Sequence, residues 1–133
     1  MNRREIFYAI RLVAVEPLGD GSEEPLFNTV DMWNKNIEFL EDECPFEFPA
    51  LFVEFGEVNY TPLKGREERG LCDVVLHVVV DGHADGVMQC VERCDALVDR
   101  LRSMPWYGMR VQSLTNHDHA EIVECLEVVR VGI

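Results

Sequence analysis

Three groups of side chains in this sequence have the types and spacing that chemistry requires. The first is His117-Asp118-His119. In an extended segment residues i and i+2 point the same way, so two imidazoles there can share a metal ion. A catalytic zinc usually takes a third protein ligand, and nothing in the sequence brings the remaining candidate, His83, nearby. The stretch is therefore expected to be a polar turn between strands. The second group is Cys90 and Cys94, at i and i+4 on one helical face, where joint metal ligation is geometrically allowed. Both fall in an apolar stripe, which assigns them to core packing. The third is His77 with Asp73. On a strand these two lie roughly 13 Å apart. That is too far for a direct hydrogen bond, so His77 reads as a structural histidine.

No other pattern marks a reaction. The chain has no G-x-S-x-G elbow, no Walker loop and no G-x-G-x-x-G turn. Gly19-Asp20-Gly21 is flanked by acids, which would repel a phosphate. The many carboxylates lack the spacing of a calcium loop. No catalytic residue, dedicated metal site or cofactor is expected.

Charge narrows the partners. The formal net charge is −13, from 25 acids and 12 bases. A duplex-DNA binder needs a basic surface to displace counterions, and an anionic lipid surface would repel this chain. Sequence-specific nucleic acid and membrane are thus not expected as partners. Residues 20–47 carry nine acids and one base, Lys35. This is either a solvated face or an electrostatic surface turned toward a partner or a lumen. The five cysteines follow no disulfide spacing and mostly sit in apolar stretches, as expected for folding in a reducing compartment.

These residues need elements to position them. A chain of 133 residues, 47% hydrophobic and 28% charged, is long enough for one domain with a real core. Asn2 and Glu5 have the spacing of a capping box, and Ile6, Ile10 and Val13 continue as a helix over about 3–15. No run of 18 apolar residues is present, and no cleavage-site pattern follows the N-terminus, so neither a membrane helix nor a signal peptide is expected. Val30, Met32 and Asn34 suggest a short strand within an ambiguous stretch. Residues 50–55 and 71–80 alternate as strands that flank a long loop over 57–69, a hairpin with a projecting arm. A second helix runs from a cap at Asp85 to about Ser103, with Pro105 beyond it. Two closing strands span about 109–115 and 121–131. The fold class is α+β: a single domain over 1–133, with a mostly antiparallel sheet of four to five strands and two helices on one face.

This order of elements resembles the small tail-terminator and tail-completion proteins of long-tailed bacteriophages. The likeness rests on an N-terminal helix, the strand Phe48-Pro49-Ala50-Leu51-Phe52-Val53-Glu54-Phe55, a projecting loop and the strand Leu71-Cys72-Asp73-Val74-Val75-Leu76-His77-Val78-Val79-Val80. The helix around Ala96-Leu97-Val98-Asp99-Arg100-Leu101 follows. A closing pair comes last, entered through Thr115-Asn116-His117-Asp118-His119. The resemblance covers most of the chain as element order, without a diagnostic motif.

The resemblance implies a structural virion-assembly protein without catalysis or organic cofactor. Its subunits would form a ring, commonly a hexamer, that caps the tail tube and joins it to the head connector. The partners would be the chain itself, the tube protein and the connector protein, in the host cytoplasm during assembly and then in the virion neck. The acidic segment at 20–47 is a departure that leaves open how the first helix joins the sheet. Independently, Tyr60, Lys64, Arg66 and Arg69 sit on a loop too polar for a core and are candidate partner contacts. Leu71, Val75 and Val79 lie on the long strand's second face, which needs cover, and are candidate subunit contacts. The alternatives are another neck or head-closure protein, a small metal-dependent enzyme using His117, His119 and His83, and a monomeric regulatory module.

Overall fold

The computed structural model describes residues 1–19, 21, 23–34, 46–82, 86–116 and 122–133. Two helices, α1 (Arg3–Ala14) and α2 (Gly86–Leu101), pack on one face of a five-stranded sheet. The strands are β1 (Thr29–Met32), β2 (Ala50–Pro62), β3 (Glu68–Asp81), β4 (Tyr107–Asn116) and β5 (Ile122–Gly132). Their spatial order is β1-β2-β3-β5-β4. β1 runs parallel to β2 and the remaining pairings are antiparallel, so the expected α+β class holds.

The capping box forms as its spacing predicts. The Asn2 side chain accepts from the Glu5 N–H at 2.9 Å, and the Glu5 carboxylate accepts from the Asn2 N–H at 3.4 Å. Two donors at the helix start are thereby satisfied. Ile6, Ile10 and Ala14 then recur on one face and are buried against the sheet. The far end of α1 is held from α2. Arg100 donates to the carbonyls of Val13 (2.7 Å), Glu16 (3.0 Å) and Pro17 (2.7 Å), covering acceptors that a helix C-terminus leaves open. The cap expected at Asp85 lies outside the described residues.

Strand parity sorts the core. Cys72, Val74, Leu76, Val78 and Val80 of β3 face the helices, with Val123, Cys125, Val129 and Val131 of β5 beside them. The opposite face is partly covered by the chain itself. Trp33, Phe46 and Phe48 pack on Ala50, Phe52, Val79 and Ile122.

The stretch at 57–69 corrects the expectation of a loop. β2 and β3 form the expected hairpin, and after a register shift between Phe55 and Val58 they stay paired along the arm as far as Thr61 opposite Arg69 and Pro62 opposite Glu68. Only the tip is a turn, closed by Leu63 N–H on the Glu67 carbonyl at 2.8 Å, with Gly65 at φ +83° in the region that favours glycine. β5 pairs with β3 as far as Leu71 opposite Gly132, and Gly70 and Ile133 exchange two further backbone hydrogen bonds (2.9 and 3.4 Å). Beyond that point the arm runs as two strands exposed on both sides. Tyr60 lies across Gly70, where an added Cβ would meet its ring at 2.9 Å. Because the arm is laddered, its paired amides at 58–61 and 68–72 are expected to exchange roughly tenfold more slowly than those at the tip. Hydrogen exchange on the free protein checks this, and uniformly fast exchange from 57 to 69 would contradict it.

Candidate functional site

Three assemblies of side chains stand out, and the sheet positions each differently.

The first lies between α2 and the β4–β5 pair. Cys90 and Cys94 follow one another on the buried face of α2, and Cys125 rises from β5 beneath them. Their sulfurs all lie within 4.8 Å of one another. Cys90 donates to the Val78 carbonyl at 3.3 Å, and Cys125 shares a 3.5 Å contact with the Thr115 hydroxyl. Hydrogen bonding to Cys125 and burial push the Cys90 thiol up to about 12. Contact with Cys125, then with Cys90, and then burial raise Cys94 as well.

The sign of the resulting pH dependence is fixed. The folded state holds the Cys90 proton more tightly than an ordinary thiol at 9.0, so its stability contribution is full below about pH 9 and is lost as pH rises toward 12. Urea midpoints should therefore fall between about pH 8 and about pH 10.5, and fall less in Cys90→Ala. Equal falls in both proteins would contradict this.

Beside the thiols is an open hollow of about 440 Å³ lined by Val91, Asp95, Arg110 and Leu114 among others, with Cys94 and Cys125 at its wall. Arg110 crosses it. Its guanidinium donates to Glu127 through Nε (2.8 Å) and Nη2 (2.6 Å), and to Asp95 at 2.8 Å. Ser113 adds a hydroxyl to Glu127 at 2.8 Å. Glu127 is 3% exposed, so these donors replace the water its carboxylate would otherwise hold. The same pairing raises the guanidinium pKa, Glu127 contributing most.

The second assembly is on the opposite face. His77 Nε2 lies 2.8 Å from Glu54 Oε1, and Nδ1 lies 3.5 Å from Glu124 Oε2. The Trp33 indole stacks on the imidazole at 3.8 Å and 5°. His77 and Glu124 are both buried. Asp73, considered as a partner for His77, instead pairs with Arg130 at 2.9 and 3.3 Å. The structural reading of His77 stands, with partners that the sequence did not reveal. Register supplies them: Phe52 and Leu126 lie opposite His77 on β2 and β5, and the two glutamates sit two residues from these.

The third assembly is surface. β4 ends the sheet among the described strands, so one side of a ten-residue strand has no strand partner there. Met109 (51%), Val111 (40%) and Leu114 (51%) are exposed along it. Val87, Met88 and Val91 are exposed on α2, and Val91 and Leu114 both line the hollow. By register Met109 and Leu114 lie opposite Arg130 and Leu126, on the sheet face away from the helices.

The expected contact residues fall in different places. Tyr60, Lys64, Arg66 and Arg69 are all exposed on the arm. Leu71 is exposed near its base and Val75 is half-buried. Val79 corrects its expectation: it is fully buried beneath this chain's own aromatic cover and has no surface to offer a neighbouring subunit. His83, His117 and His119 lie outside the described residues. No helix among the described residues is long and apolar enough to cross a membrane. No family model matches the chain, and no curated protein matches it.

Proposed function

We propose that this chain is a ring-forming assembly subunit similar to the tail-terminator proteins of long-tailed phages, acting by contact and not by catalysis. The observation that carries the reading is the β4 edge. A long edge strand with exposed apolar side chains invites pairing with another chain. Met109, Val111 and Leu114 are exposed along that edge and give a neighbour apolar side chains to cover. In a cyclic assembly such a surface meets a different patch on the next copy, and the rotation closes the ring.

The arm supplies the second contact. A two-stranded projection with Tyr60, Lys64, Arg66 and Arg69 exposed sets three bases among Glu57, Glu67 and Glu68, so it is formally neutral on an acidic protein. Its exposed bases, acids and Tyr60 offer polar and aromatic contacts to the rim of a protein tube.

The test of function is termination. Purified protein is added to a polymerising tail-tube protein of a long-tailed phage. Tubes should stop elongating and carry the protein at one end. A variant with residues 61–69 replaced by an Asn-Gly turn should still fold, because that turn suits a two-residue hairpin. It should lose end binding at least roughly tenfold. Unaltered tube growth with the wild type, or full termination by the shortened variant, would overturn the respective part of the reading.

A further inference from the structure

The thiol cluster beneath α2 is not used by the assembly reading and is independent of it. We infer that Cys90, Cys94 and Cys125 form a binding site for one thiophilic d10 cation, Zn²⁺ in the first instance, with a fourth position turned toward the hollow beside β4.

The geometry fits such an ion. Zinc–sulfur bonds of about 2.3 Å place three ligand sulfurs roughly 4 Å apart. The three sulfurs here already lie within 4.8 Å of one another, so a small inward movement completes the set. The ligands come from two elements, since α2 supplies the i, i+4 pair and β5 the third. A helix packed on a sheet thus holds the triangle without a dedicated loop. Three thiolates favour zinc and other soft ions over magnesium or calcium, which prefer oxygen.

Access is also present. Cys94 and Cys125 line the hollow, together with Ser113, Thr115, Asp95, Arg110 and Glu127. A core packed only for burial has apolar neighbours, whereas this one adjoins a polar opening through which an ion and a water can pass. The Thr115 hydroxyl is already beside Cys125 at 3.5 Å and can orient a fourth ligand. Bound to the ion, the sulfurs are thiolates, so each gives up its proton on binding.

The experiment uses the full chain, kept reduced. Zn²⁺ is titrated in competition with a chromophoric chelator, and Cd²⁺ is titrated while thiolate-to-metal charge-transfer absorbance is followed. One ion per chain is expected, with a cadmium–thiolate band. Cys125→Ser should weaken binding by roughly 100-fold or more, while Cys44→Ser and Cys72→Ala leave it within about twofold. Absence of the band, or equal binding by Cys125→Ser, overturns the site. Should Cys125→Ser fail to fold, the wild type decides alone. Alkylation of Cys94 and Cys125, read by peptide mass, should slow at least roughly tenfold with Zn²⁺ relative to chelator. Unchanged rates overturn the site equally.

Discussion

Replacing Val111 and Leu114 together by lysine should abolish self-association while leaving the subunit folded. Both side chains stand exposed on the β4 edge, so the free subunit loses little; substitutions at such positions usually stay within about 0.5 kcal/mol each. In an interface each apolar side chain withdrawn from water contributes about 1.5–3 kcal/mol. Losing two of them, and burying lysines in their place, should weaken each subunit contact by at least roughly 100-fold. Lysine is the informative choice. On an acidic chain it reduces net repulsion, so charge alone would favour association. Loss of assembly then reports the lost apolar contact. Sedimentation at matched concentrations reads the effect, with thermal unfolding as the control for folding. Association equal to the wild type would remove β4 from the interface.

Arg110→Ala should destabilise the subunit by about 3 kcal/mol, the lower part of the range for breaking a buried ion pair. Arg110 is itself 30% exposed, which keeps the value at that end, but Glu127 is almost fully buried and would lose both guanidinium donors. Ser113 alone would remain to it among the hydrogen bonds described above. The Asp95 arm of the pair adds little, because that carboxylate is more than half exposed. For a domain of this size the midpoint of thermal unfolding should fall roughly 10 °C. The double change Arg110→Met with Glu127→Leu should recover most of the loss, since it removes the stranded charge along with its partner. A loss below about 1 kcal/mol for Arg110→Ala would mean that water reaches Glu127 after all.

Much of the fold is legible because one face of each element is buried. The capping box at Asn2 and Glu5, the α2 stripe and the parity of β3 all follow from that asymmetry. The arm lacks it. Both sides of residues 61–69 meet solvent, so selection for apolar alternation is absent, and Pro62 and Gly65 read as loop punctuation. Pairing there comes from β2 and β3 continuing as a ladder beyond the register shift between Phe55 and Val58, which a residue-by-residue pattern does not carry. Val79 failed for a related reason. Parity placed it on the second face correctly, but the aromatic cover comes from residues 33, 46 and 48, far off in sequence. The thiol cluster was half visible. Cys90 and Cys94 announce themselves by spacing, whereas Cys125 joins them only through the packing of α2 on β5. Its parity with Val123 and Val129 was the available signal, and it gives the face without the position along it.

The central claim is that copies of this chain close into a ring. The direct measurement is native mass spectrometry, supported by sedimentation, at tens of micromolar protein in low salt and near physiological salt. Each added copy brings a net charge of −13. Screening shortens from roughly 30 Å at 0.01 M to roughly 8 Å at 0.15 M, so salt should promote closure. The expected result is one discrete oligomer larger than a dimer, commonly six copies, more populated at the higher salt. A strict monomer at every salt and protein concentration, with or without Mg²⁺, would contradict the account.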